Sequence, residues 1–297
     1  MGLLNFRRKE APASAPLAAF LRGASIEVMP RTAEKVDDFA AILPRGTRVY
    51  IAHIAGTPIE DMVAMAARLR AEGMEPMPHF PARIIRGKDI LADWVARYRG
   101  EADVRQGLIL AGGVEAPAGD FKDSMQLLES GAFEGFERLH VAGHPEGNRD
   151  IDPDGGTATL SDALRWKQAF SERTDAKMAI ATQFAFEPVP LIEWAQSIKA
   201  AGIDLPIHIG AAGPAKLQTL IKFAIACGVG PSLRVLQRRA ADVTKLVLPF
   251  EPTEMLSALA EHKAADPGFG IEAVHIFPLG GIKASADWLA RHRKDEE

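Results

Sequence analysis

Glutamate and histidine are the side chains best suited to moving a proton near neutral pH, and in this chain they recur at one kind of position. Glu27, His53, His79, His144, Gln183, His208 and His275 each stand at or just past the end of a short apolar run, and Gly112–Gly113 hold the equivalent place in another. Polar groups on apolar strands are costly to bury without partners, so a set of them points to a shared wet or liganded mouth. Any single histidine of the set could instead tie down a neighbouring loop. The chemistry on offer is acid–base work on a bound small molecule. Glu27 lies among Ile26, Val28 and Met29, and apolar neighbours raise a carboxyl pKa toward that of a useful proton donor.

Other chemistries lack their residues. The histidines are isolated, one per apolar run, without the short spacing of a zinc site. Asp150-x-Asp152-x-Asp154-Gly155 opens like a calcium loop, but Ser161 stands where the bidentate glutamate is required, so it reads as a polar loop. No Gly-x-Ser-x-Gly elbow, phosphate-cradling P-loop or Gly-x-Gly-x-x-Gly turn is present. The single cysteine, Cys227, follows Phe223-Ala-Ile-Ala226 and is expected to be a buried, inert thiol. A Schiff-base mechanism would need a lysine at a strand's functional end; Lys177 is near a strand but at the wrong end.

The elements that must position these residues alternate regularly. Apolar strand-length runs occur at Ser25–Met29, Arg48–Ala55, Glu75–Phe80, Gly107–Ala111, Leu139–Gly143, Ala176–Phe184, Leu205–Gly210 and Ala273–Pro278. Helical spacing follows them at Thr32–Leu43, Pro58–Glu72 (with Thr57 as cap), Ile90–Tyr98, Asp123–Ser130 and Ser161–Glu172 (with Ser161 as cap). Further helices are expected at Pro190–Ala201, ended by Gly202, and at Ala215–Cys227, Ser232–Leu246, Glu254–Ala265 and Ala284–Arg293. Continuous apolar strands alternating with helices call for a parallel sheet covered on both faces. Eight such units in 297 residues favour a single (β/α)8 TIM barrel over an open sheet, with chemistry at the C-terminal ends of the strands. Residues 1–20 read as a tail and residues 21–297 as one barrel domain.

Composition narrows the partners. Thirty-nine acidic against 35 basic residues leave a net charge of −4 and no basic stripe, so no nucleic-acid footprint is expected. The N-terminal charges follow the apolar residues, the reverse of a secretory signal, and Phe6 replaces the Ser or Thr of a myristoylation motif. No run approaches the roughly 20 apolar residues that span a bilayer. A cytoplasmic protein with a small-molecule substrate is expected. Its oligomeric state is left open, with Trp288 and the last helix able to pack on the barrel or on a partner.

Five segments, in order along the chain, resemble the methylenetetrahydrofolate reductase family. Ser25-Ile-Glu27-Val-Met-Pro30-Arg31-Thr32 is similar to its first-strand F-E-F-F-P-P-R-T, and Pro78-His79 to its P-H-L-T. Val141-Ala-Gly-His144-Pro-Glu-Gly147 resembles A-A-Y-P-E-x-H, Ala181-Thr-Gln183-Phe184-Ala-Phe186-Glu187 resembles I-T-Q-F-F-F-D, and Ala200-Ala-Gly202-Ile-Asp204-Leu-Pro206-Ile207 resembles A-G-I-x-x-P-I. The resemblance implies reduction of 5,10-methylenetetrahydrofolate to 5-methyltetrahydrofolate, with electrons from NADH or NADPH through FAD. It makes Glu27 the acid that opens the folate's imidazolidine ring at N10. Gln183, with Phe184 and His208, falls on the substrate side. His53, His79, Gly112, Gly113, His144, Arg165 and Lys167 fall on the cofactor side.

The departures cluster on that cofactor side. The family's fourth strand ends L-R-G-D, whereas this chain has Leu110-Ala-Gly112-Gly113. Its V-T-Y-G on the second strand is replaced by Ile51-Ala-His53-Ile54, and its K-R-K-like cluster by Arg165-Trp-Lys167-Gln-Ala169. Direct hydride transfer from NADH or NADPH to the folate, or a folate-binding barrel without redox activity, therefore stand beside the flavin reading. A lyase or aldolase barrel that imitates the family is a further alternative. Arg234, Arg238 and Arg239 form a basic run that could hold a polyglutamate tail or be a solvated helix face.

Overall fold

The computed structural model describes residues 14–228, 233–237 and 249–293. Eight strands close into a parallel barrel in sequence order. They are β1 (Ser25–Val28), β2 (Arg48–Ile51), β3 (Glu75–Pro81), β4 (Gln106–Leu110), β5 (Arg138–Gly143), β6 (Lys177–Ala185), β7 (Ile207–Ala212) and β8 (Ile271–Phe277). Closure comes from β1 pairing with β8, Ser25 opposite His275 and Ile26 opposite Ile276. Every expected strand forms, because each apolar run is buried on both faces: outward residues such as Ile26, Val49, Ile51, Val141, Ile209 and Ile276 are fully inaccessible beneath the helices.

The helices are α1 (Ala15–Leu21), α2 (Pro30–Ala33), α3 (Ile59–Ala71), α4 (Lys88–Ala102), α5 (Ser124–Glu129), α6 (Ala158–Ser171), α7 (Pro188–Ala200), α8 (Leu217–Ala226), α9 (Thr253–Ala265) and α10 (Ile282–His292). Gly202, at φ +80°, ends α7 in the left-handed conformation that glycine adopts at no steric cost. Among the described residues, no helix is long and apolar enough to cross a membrane.

Several local expectations give way to tertiary contacts. The helix expected over Thr32–Leu43 stops at Ala33. Arg68 of α3 takes the carbonyls of Ala33 (3.1 Å), Val36 and Asp37, and the Glu72 carboxylate accepts from the Phe39 N–H at 2.6 Å. Side chains thereby satisfy backbone groups that an α-helix would pair internally. Val36, Phe39 and Leu43 are buried as their spacing suggests, in a different backbone. Neither threonine nor serine caps as expected. Pro58 precedes α3 without a side-chain bond, and Ser161 lies inside α6. The first amides of α6, Thr159 and Leu160, instead bond the Asp152 carboxylate at 2.9 and 3.1 Å, which explains part of the aspartate-rich loop.

Two further differences concern burial. Residues 15–20, read as tail, belong to α1, whose Leu17, Ala18 and Leu21 are fully buried. That helix packs on α9, β8 and α10, and Arg293 donates to the carbonyls of Leu21 and Ala24. Cys227 is exposed rather than buried. The apolar face of α8 is Leu217, Leu220 and Ala224, and Cys227 falls past the last turn of that face. Of the helix expected over 232–246, residues 233–237 are helical; the remainder, with Arg238 and Arg239, lies outside the described residues.

Candidate active site in the barrel mouth

Strand parity stacks the interior in layers. At the N-terminal end Arg48 donates to Gln106 (2.8 Å), Gln106 to Glu75 (3.1 Å), and Arg70 to Glu75 (2.7 Å), forming a linked polar floor. Above it sit Tyr50, Met77, Leu108 and Ala181 as an apolar plug. His140 and His208 enter the same level, their rings 4.5 Å apart, with the Tyr50 hydroxyl hydrogen-bonded to His140 Nδ1. The next inward residues, Glu27, His79 and His275, open onto a cavity of about 850 Å³ at the strands' C-terminal ends. This is the end at which barrels of this kind carry their chemistry.

Glu27 is the centre of the cavity floor. Its Oε2 lies 3.4 Å from His79 Nε2 and 3.8 Å from His275 Nε2. Ser25 Oγ meets His275 Nδ1 at 2.9 Å. Burial pushes the Glu27 carboxyl up, but the adjoining His275 and His79 outweigh it and hold the group below the ordinary carboxylate range. The raised value expected from its apolar sequence neighbours is thus reversed by histidines from two other strands. Burial, together with His275 and His53, pushes His79 down to about 4 in spite of Glu27, so it is neutral at physiological pH. His208 is pushed down to about 3 by burial and by Arg48, His275 and Arg138. His79 Nε2, His140 Nε2 and His208 Nδ1 are buried without a hydrogen-bond partner. An orphaned buried polar atom costs about 1–3 kcal/mol; of the three, only His79 lines the cavity, where a polar ligand could pair it, while His140 and His208 lie in the layer below.

On the opposite wall, Gln183 reaches the cavity through an irregularity. The β6–β7 register shifts between Ala181 and Phe184, and Thr182 Oγ1 accepts from the Gly210 N–H at 2.9 Å in place of a regular ladder bond. A Cβ at Gly210 would come within 2.6 Å of the Thr182 and Gln183 carbonyl oxygens, so only glycine permits this approach. Gln183 Oε1 accepts from the Phe184 N–H at 3.1 Å, which leaves the amide nitrogen as the end available to a ligand. Phe184 lines the cavity while its ring packs edge-on against Phe186 and Phe277.

The remaining sequence-predicted residues scatter. His144 lines the main cavity and also a second chamber of about 400 Å³, which shares the wall formed by Ala142, Gly143 and His144. Burial and the nearby Lys167 push His144 down to about 4. Lys167 lies in that chamber, 5% exposed, with Nζ 3.3 Å from the Ala142 carbonyl, and burial pushes it down to about 8 despite Asp123. His208 lies a layer below the mouth rather than on the cavity wall. His53 stacks on Trp94 at 4.8 Å and bonds the Thr57 carbonyl at 3.1 Å, away from both spaces. Gly112 turns at φ +90° against Pro81 and Gly113 follows it, both outside the two linings. Arg165 is half-exposed and paired with Asp162 one turn earlier on α6. It lies two residues from Lys167, and two residues on a helix point about 200° apart.

Tyr50, His140 and Ser25 were not among the expected site residues, and His275 was noted only as a strand end. A signal for them existed in the two-residue period: Ser25 shares a face with Glu27, Tyr50 with Ala52, and His140 with Ala142. The same period puts His53 on the face of Ile51, outside the barrel.

No family model matches the chain. Among solved structures, it is similar to the dihydropteroate synthase (FolP) of Thermus thermophilus, with 12% sequence identity over 91% of this chain and 93% of that one, at a TM-score of 0.44. A likeness at that level says nothing of what the present chain binds.

Proposed function

We propose that this chain is an enzyme of one-carbon metabolism that binds a reduced folate in the barrel mouth and reduces 5,10-methylenetetrahydrofolate to 5-methyltetrahydrofolate at the expense of NADH or NADPH. The observation that carries the reading is the meeting of Glu27 and Gln183. Two residues from the motifs most similar to the reductase family, 156 positions apart on β1 and β6, line one cavity. The cavity wall is predominantly carbon, with Tyr50, Leu108, Leu110 and Phe184 able to sandwich a flat heterocycle, and Gln183 at its edge to address ring nitrogens.

The residues divide the labour as follows. Gln183 and the apolar wall orient the pterin, and the depth of the cavity limits water at the reacting carbon. A proton delivered from Glu27 to N10 lets the C–N10 bond break, its electron pair passing to N10, and leaves an iminium at N5. The nicotinamide supplies the hydride that converts this carbon to a methyl group. Methylenetetrahydrofolate, NAD(P)H and one proton become methyltetrahydrofolate and NAD(P)+.

FAD is the part of the family pattern that the residues do not fit. His53, Gly112, Gly113 and Arg165 line neither space and Lys167 lines the second chamber but not the main cavity, so of the residues on the cofactor side only His79 and His144 reach the main cavity. No step is therefore routed through a flavin. The same loss favours a second reading, a folate-binding barrel without redox activity. Anaerobic nicotinamide oxidation with and without methylenetetrahydrofolate, and with and without added FAD, separates these. Folate-dependent oxidation without FAD is the expected result. Folate binding with no oxidation of either nicotinamide, with or without FAD, selects the second reading, and absence of both defeats the folate assignment.

A further inference from the structure

Lys167 is a charged group that the proposed chemistry does not use, and it is placed unlike a surface lysine. It starts on α6, yet its Nζ ends 3.3 Å from the carbonyl of Ala142, the last residue but one of β5. The helix thus delivers an amine to the C-terminal end of a strand, the position that Lys177, at the start of β6, does not supply. At 5% exposure it has no ion pair among the described residues, and its one long bond to a carbonyl uses one of three hydrogens.

Its surroundings favour the neutral amine. Leu160 and Leu164 of α6, with Trp194 and Ile198 of α7, give the chamber of about 400 Å³ a carbon wall. Asp123, ahead of α5, favours the charge, but its Oδ1 is taken by the amides of Met125 and Gln126 at 2.9 and 3.0 Å. Asp150 is the other acid of the lining, His144 beyond β5 is neutral, and Arg83 and Lys122 add positive charge. Burial prevails and pushes Lys167 down to about 8. Near neutral pH its free-amine fraction is then on the order of 10²-fold that of an exposed lysine.

A desolvated amine in a pocket is the nucleophile of imine chemistry. The same lining indicates which carbonyl compound suits it. Arg83, after β3, gives Nε to the Lys122 carbonyl at 3.0 Å and Nη1 to the Val114 carbonyl at 3.2 Å. Among the described residues its Nη2 and the Lys122 ammonium are unbonded. Two cations on the wall are partners for a carboxylate, and the volume lies at the small end of ligand pockets.

We propose that this chamber is a second ligand site, in which Lys167 Nζ condenses with the carbonyl carbon of a small α-oxo acid whose carboxylate is held by Arg83 and Lys122. The nitrogen lone pair forms the N–C bond while the carbonyl π pair moves to oxygen. Both amine hydrogens leave with that oxygen as water, and a C=N bond remains; nothing is oxidised or reduced. The chamber shares only the wall of Ala142, Gly143 and His144 with the main cavity, so the site stands or falls apart from the folate reading.

The test incubates the full chain at about pH 7.5 with glyoxylate and cyanoborohydride, which reduces imines to stable secondary amines, and maps the adducts by peptide mass spectrometry. Lys167 is expected to be labelled on the order of tenfold faster than the exposed Lys88 and Lys177, its rate levelling above pH 8 while theirs keeps rising. Acetaldehyde, which lacks the carboxylate, is expected to label Lys167 far less, and Lys122→Gln to narrow that preference. Labelling of Lys167 no faster than the exposed lysines overturns the site, and equal labelling by the two probes overturns the oxo acid as its ligand. Both results are read on the unaltered chain, so neither depends on a variant that folds. Labelling of Lys167 in a protein without folate-dependent turnover would keep this site and remove only the folate assignment.

Discussion

The two sides of the barrel mouth are built on different plans. On the side of β1, β3 and β8, Ser25, His275, Glu27 and His79 are linked by successive polar contacts of less than 4 Å, and the two histidines hold the Glu27 carboxyl below the ordinary carboxylate range. On the side of β4, β5 and α6, a glycine pair turns away and the basic residues part company. Arg165 points to solvent beside Asp162, while Lys167 is shut in a chamber with one weak bond to a carbonyl. The first side is an acid–base device assembled from three strands. The second is a buried cation whose burial works against its charge.

The largest expected effect breaks the first side. Glu27→Gln keeps the shape and removes the proton route, and folate-dependent nicotinamide oxidation should fall by about 10²–10⁴-fold with folate binding retained. Equal loss of binding and turnover would reassign Glu27 to substrate anchoring.

Acid should expose both sides together. His79, His144 and His208 titrate in the folded protein at about 4, 4 and 3, against an ordinary value of 6.5. Between those values the unfolded chain binds more protons, so stability is full above pH 6.5 and falls as pH drops toward 4. The slope is at most about 1.4 kcal/mol per pH unit for each histidine. Denaturant midpoints measured from pH 7.5 to 4.5 check this, and His79→Gln should flatten the curve; a flat curve in the unaltered protein would contradict neutral burial.

The second side is sharpened by Lys167→Met. Lys167 is pushed from 10.5 to about 8, so its burial costs stability below pH 8, and that cost disappears as pH rises through 8 to 10.5. The variant should be more stable at pH 7 by about 2–3 kcal/mol, with the gain shrinking toward pH 10.5. A variant less stable at pH 7 would mean that Asp123 and the Ala142 carbonyl compensate the charge after all. Arg165→Ala should be the quietest change, within about 0.5 kcal/mol in stability and without effect on turnover, because its ion pair is exposed. A rise in KM for the nicotinamide would instead return Arg165 to the cofactor side.

The alternation of apolar runs and helical spacing determined the barrel from sequence alone, because strands buried on both faces need continuous apolar residues and helices need a repeating apolar face. It determined that Glu27, His79 and Gln183 sit at strand ends, and the two-residue period held enough to add Tyr50 and His140 and to turn His53 outward. Only the tertiary structure decided the charge of Glu27, since the histidines that outweigh its burial arrive from β3 and β8, 52 and 248 positions away. It alone put Gln183 into the cavity through the shift beside Gly210, and replaced the helix expected after β1 with loops held by Arg68. Spacing along a chain fixes which face a residue takes. Which groups share that face, and at what distance, is set by closure of the barrel.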